Sequence, residues 1–161
     1  MITLILITLA AILNAAMDTI SFRYNKSIFS KYPKLKQFLD VNVSWKNKYK
    51  NGDVKQGRRF YGSMTFLVLI TDGWHLFKSL MLLCLTLAMV LYNPIFPEYN
   101  YVLLEIFILR TLFGTVFELF FGTFFIKGEL DKKWTKLLFS MFSIKGVLKK
   151  KWLKLKEKIV S

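Results

Sequence analysis

The chain has 161 residues and a formal net charge of +14, and it is 54% hydrophobic and 17% aromatic. An unfolded basic tail would be poor in aromatics, whereas this chain holds 16 Phe, 7 Tyr and 4 Trp. A soluble domain of this size buries only about 70% of its unfolded surface, too little to hide so much apolar material, so the balance points to an all-α integral membrane protein.

The first apolar run extends from Ile2 to Asp18. A secretory signal peptide would begin with basic residues, but the first Lys or Arg here is Arg23. The run therefore reads as a first span over about 2–18, close to the short limit for a bilayer.

Residues 19–61 hold 11 of the 24 Lys and Arg, interleaved with nine aromatics: Phe22, Tyr24, Phe29, Tyr32, Phe38, Trp45, Tyr49, Phe60 and Tyr61. Pro33 opens a short helix and Asn51-Gly52-Asp53 marks a turn. Basic residues among aromatics can bind single-stranded nucleic acid. Beside membrane spans, the simpler reading is a cytoplasmic segment at the lipid surface, and nucleic acid is not the expected partner.

A second apolar region runs from Gly62 to Tyr92. As one helix it would reach roughly 46 Å, against about 30 Å of hydrocarbon. The predicted span is therefore 73–92. Thr71-Asp72-Gly73 then lies at an interface, and Met64–Ile70 is a helical lead-in. Two prolines in Asn93–Tyr99 make a turn, and a third span follows over 101–126. The second and third spans are expected to form an antiparallel hairpin.

Charge sets the orientation. Ten Lys lie in 131–161, and neither the 93–99 turn nor the residues before the first span carry any Lys or Arg. Three spans put both basic segments on one side, the cytoplasmic one, with the N-terminus outside and the C-terminus inside. The expected layout is a multi-pass protein of the cell inner membrane, with a helical membrane domain over 1–128 and a basic amphipathic surface helix over 129–161. In that tail Trp134, Leu137, Met141, Ile144, Leu148 and Trp152 recur at helical spacing, with Lys149, Lys150 and Lys151 on the other face. Trp134, Trp152 and these lysines are the expected contacts with anionic lipids.

Charges within spans cost roughly 2.5–3.5 kcal/mol each, so they carry information. Asn14 and Asp18 share one face of the first helix. Asp72, His75 and Ser79 share a face of the second, with Lys78 beside His75. Arg110, Gly114, Glu118 and Gly122 form one row on the third, where the glycines permit close helix approach. Glu105 is expected near the outer interface in a solvated role. Depth suggests that Asp18, Asp72, His75, Lys78 and Glu118 converge in a cytoplasm-facing polar pocket, leaving Arg110 deeper. Asp72 and His75 have the spacing of an orienter and a general base. Asp18, Asp72, His75 and Glu118 have the chemistry to ligate a divalent ion, although the spacing does not require one. No cofactor is expected: GxGxxG, Walker and nucleophile-elbow motifs are absent, and the single Cys84 and single His75 exclude paired-ligand zinc motifs.

Two stretches, Ser44-Trp-Lys-Asn-Lys-Tyr-Lys-Asn-Gly-Asp53 and Thr71-Asp-Gly-Trp-His-Leu-Phe-Lys78, resemble segments of small uncharacterised bacterial membrane proteins, as does Leu13-Asn-Ala-Ala-Met-Asp18. The resemblance covers about residues 1–92 and implies no activity. It directs attention to Asn14, Asp18, Trp45, Lys46, Asn47, Asp72, Trp74 and His75. Three classes of function stay open at this point. The first is a non-enzymatic membrane protein acting by assembly with itself or a partner, with Arg110 and Glu118 as pins. The second is an enzyme or ion-handling protein built around Asp72 and His75. The third is a holin-like pore former.

Overall fold

The computed structural model describes residues 1–96 and 101–127. They are mostly helical, and among them no β-strand forms, only two isolated bridges. The tail holding Trp134, Lys149, Lys150, Lys151 and Trp152 lies outside the described residues, as does the end of the 93–99 turn.

Helix α1 spans Ile2–Phe22. It continues one turn beyond the expected end at Asp18. Thr19 and Ser21 return their hydroxyls to the Ala15 and Met17 carbonyls, so these polar residues stay helical instead of capping an end. After α1 the chain winds through single 3₁₀ turns into two one-turn helices, α2 (Lys36–Leu39) and α3 (Val41–Ser44). Pro33 opens the turn before α2, as expected. Asp40 caps α3 by accepting from the Asn42 N–H. A hairpin follows over 48–59, held by Lys50 N–H to Gly57 O and Arg59 N–H to Lys48 O. Asn51 and Gly52, both at positive φ, make its turn.

Met64–Ile70 is not the expected helical lead-in. It forms turns and one 3₁₀ turn, Val68–Ile70. Helix α4 (Gly73–Val90) starts abruptly because Asp72 caps it, and it ends two residues short of the expected Tyr92. Helix α5 runs Val102–Leu119 and relaxes into a π-helical turn, Phe120–Phe124, where a regular helix to Ile126 was expected. Phe117 stacks on Phe121 and Phe120 on Phe124 through this turn.

Helix α1 is the centre of the bundle. Both α4 and α5 pack on it, while α4 and α5 have little contact with each other. The two helices run antiparallel, as expected, but each packs mainly on α1 and not on the other. The cause lies in α1, whose buried face before Ile20 is Thr3, Ala10, Ala11, Ala15, Ala16 and Thr19. Such small side chains admit two neighbouring helices closely. The glycines of α5 do not serve that purpose. A Cβ on Gly122 would meet nothing within 4 Å, and one on Gly114 would meet only Arg110 of the same helix.

At one end, the end of α1, the start of α4 and the end of α5 come together. Ile28 N–H donates to Phe125 O at 2.9 Å and Lys127 N–H to Lys26 O at 2.8 Å. Ile20, Tyr24 and Leu39 form a small core there, closed by Phe29, Phe38, Val41, Trp74 and Phe77. At the other end, the Thr3 hydroxyl approaches Leu91 O at 3.4 Å. Elsewhere α4 and α5 leave large apolar side chains uncovered, among them Leu82, Leu83, Met89, Leu103, Ile106 and Phe107. Helices α1 and α4 are long and apolar enough to cross a membrane. Helix α5 is comparable in length but carries three charges, Glu105, Arg110 and Glu118.

Candidate functional site

The start of α4 gathers Thr71, Asp72 and His75 into one hydrogen-bonded group. Asp72 adopts an extended conformation, and its Oδ1 accepts the His75 N–H at 2.9 Å, the usual capping bond. The same carboxylate faces the His75 ring, with Nδ1 2.8 Å from both Oδ1 and Oδ2. Asp72 is almost wholly buried, while the His75 side chain is 29% exposed. Thr71, beside the carboxylate, donates its hydroxyl to Val68 O at 2.7 Å.

The geometry fixes the histidine's chemistry. A carboxylate only accepts, so Nδ1 must carry the proton. Neutral His75 is then the Nδ1–H tautomer, and its Nε2 keeps a free lone pair. Nε2 has no hydrogen-bond partner among the described residues. The pair is an oriented imidazole able to accept a proton or bind a Lewis acid at Nε2. The Trp74 ring meets the imidazole edge-on at 4.9 Å, and Lys78 places its ammonium 4.7 Å from the centre of the Trp74 ring. Lys78 therefore belongs to Trp74 and not to the carboxylate.

The basic segment holds this site in place. Asn47 donates to Gln37 O at 2.7 Å and to Thr71 O at 2.9 Å. Ser63 donates to Lys48 O at 2.9 Å. Gly73 packs so tightly under this cover that a Cβ would lie 2.7 Å from Leu39 Cδ2 and 3.3 Å from Phe38 O. Two buried groups lie nearby, Asp40 and Tyr24. The Tyr24 hydroxyl has no hydrogen-bond partner among the described residues. Burial, and then the Asp40 charge, push it above its ordinary value of 10.0.

The other expected members do not converge here. Asn14 and Asp18 are half-buried on α1, and neither side chain has a hydrogen bond or ion pair among the described residues. Arg110 and Glu118 are exposed on α5 and form no ion pair among those residues. Among the described residues no group of three or more His, Cys, Asp or Glu is arranged to hold a metal ion. Asp18, Asp72, His75 and Glu118 are therefore not gathered into one ligand set. Glu105 is not solvated: it is buried and accepts the Ile95 N–H at 2.9 Å. The carboxylate therefore serves the backbone at Ile95 and not the water. Sequence reasoning gave Asn47 no role, because its partners lie 10 and 24 residues away.

No protein family, curated protein or solved structure matches the chain.

Proposed function

We propose that the protein is a small multi-pass protein of a bacterial inner membrane that works by assembling with itself or with a partner through α5. In this reading α1, α4 and α5 all span. The end holding the basic segment faces the cytoplasm and its anionic lipids, with the N-terminus outside. The gathering of the end of α1, the start of α4 and the end of α5 supports it. So does the apolar surface left open on α4 and α5.

One observation carries the assembly reading. Arg110 and Glu118 share a face of α5, are exposed, and have no ion pair among the described residues. Charges of this kind facing lipid would each cost roughly 2.5–3.5 kcal/mol, and a partner helix would remove that cost. Phe107 lies on the same face, three helical turns before Glu118. The test puts a photoreactive benzoyl-phenylalanine in place of Phe107, with Val116, nine residues on and half a turn round α5, as control. Illumination of intact membranes should give an adduct to another chain from position 107 and none from 116, and Arg110→Ala with Glu118→Ala should abolish it. Absence of any adduct from 107 overturns the proposal.

The Asp72–His75 pair favours a second reading, an enzyme or ion-handling protein with its working group at His75 Nε2. Under that reading His75→Ala inserts and folds, yet loses a small molecule that the wild type retains in native mass spectrometry. An unfolded His75→Ala, or a wild type without any retained molecule, argues against it.

A further inference from the structure

A cleft of about 380 Å³ opens between the α2–α3 region and the 48–59 hairpin, and neither His75 nor a residue of α5 lines it. Lys46, Arg59, Gln37, Asn47, Asn51 and Tyr49 line it. Two cations and three amides thus surround one space, and no carboxylate does. The surrounding segment 19–61 sets 11 Lys and Arg against Asp40 and Asp53 alone.

The lining is built, not a chance meeting of surface side chains. The hairpin bonds Arg59 N–H to Lys48 O, which brings the Arg59 backbone across from the Lys46 turn. Gly52 closes that turn against Lys46, and a Cβ there would stand 3.6 Å from Lys46 Cβ. Asn47 spends both amide hydrogens on Gln37 O and Thr71 O and is thereby immobilised. Neither the Arg59 guanidinium nor the Lys46 ammonium has a hydrogen bond or ion pair among the described residues, and Lys46 keeps only a 5.7 Å approach to the Trp45 ring. The donors are free while the frame is held. A guanidinium fork and an ammonium lining one cleft suit the oxygens of a phosphate. The volume lies within the roughly 300–1,000 Å³ range of small-molecule sites.

We propose that this cleft binds a phosphate-bearing group, with Lys46 and Arg59 supplying the charge. It lies at the end of the bundle where α1 stops and α4 starts. The lipid-headgroup source of that phosphate rests on the membrane reading above; the preference for phosphate does not.

The test uses the full chain in mild detergent and native mass spectrometry. The probes are phosphatidylglycerol, phosphatidylcholine and free glycerol phosphate. Lys46→Gln with Arg59→Gln should weaken phosphatidylglycerol or glycerol phosphate binding by about tenfold, equivalent to about 1.4 kcal/mol. Lys31→Gln with Lys34→Gln removes the same charge from outside the cleft and should change binding less than about twofold, well under half of that energy. Competition by glycerol phosphate identifies a soluble phosphate ester; retention of phosphatidylglycerol against it identifies a lipid. Either result supports the site. Equal losses in the two double variants would overturn it in favour of diffuse surface charge, and phosphatidylglycerol binding unchanged by Lys46→Gln with Arg59→Gln would overturn it in favour of acyl-chain contact. All four positions are exposed, and the single variants Lys46→Gln and Arg59→Gln give the same comparison if the double variant does not fold.

Discussion

The Asn47 side-chain amide donates to the backbone oxygen of Thr71 at 2.9 Å, joining residues 24 apart in sequence. Its other hydrogen reaches Gln37 O at 2.7 Å. One amide thus ties the basic segment to the residue that precedes the Asp72 cap. The two stretches singled out by resemblance, 44–53 and 71–78, meet through this residue.

Asn47→Ala removes both bonds and leaves two carbonyls without their donor. The expected loss is about 2 kcal/mol, two hydrogen bonds at about 1 kcal/mol each. Thermal unfolding in detergent checks it, with Asn25→Ala, an exposed amide whose side chain makes no hydrogen bond among the described residues, as a control expected to change little.

Asp72 and His75 form the most direct chemical test, because His75 is the only histidine. Nitrogen NMR of the labelled ring should show the neutral form protonated on Nδ1. Asp72→Ala should return it to the Nε2–H tautomer that free histidine prefers. The same substitution removes the α4 cap and should cost about 1 kcal/mol. An Nε2–H tautomer in the wild type contradicts the dyad.

Gly73→Ala should destabilise the protein by about 1–3 kcal/mol, because the new methyl meets buried Leu39 and the Phe38 carbonyl. Leu39→Ala in the same chain should make the alanine at 73 less costly than it is alone. Strict additivity of the two losses would show that the contact is not the cause.

Helices α1 and α4 were legible because an uninterrupted apolar run needs no partner to be recognised. Depth and side-chain spacing also put Asp72 beside His75, a contact within one helical turn. What stayed illegible depends on rotation and on distant partners. Nothing in the 101–126 run says that it packs on the alanine face of α1 more than on α4. Glu105 reads as a solvated interface charge until its bond to the Ile95 N–H is seen. Asn47 in a lysine-rich stretch carries no local signal of a bond to Thr71.

Tyr24→Phe should raise stability by about 1 kcal/mol, since it deletes a buried hydroxyl that has no partner among the described residues. It should also change the alkaline response. Folding holds the Tyr24 proton above the ordinary 10.0, through burial first and Asp40 second. Below pH 10 both states keep that proton, so this group gives no slope. As pH rises past 10 the unfolded chain ionises first and wild-type stability falls. The Phe variant lacks that part of the fall, and unfolding midpoints between pH 8 and 11 measure the difference.

The proposed topology puts the basic segment and the start of α4 on the cytoplasmic side and the 93–96 loop outside. In a Cys84→Ser background, Asn51→Cys and Asn93→Cys can each be labelled in intact cells with a membrane-impermeant maleimide. The account predicts that position 93 reacts in intact cells and that position 51 reacts only after permeabilisation. Labelling of position 51 in intact cells, or equal reaction of both positions before permeabilisation, would contradict it.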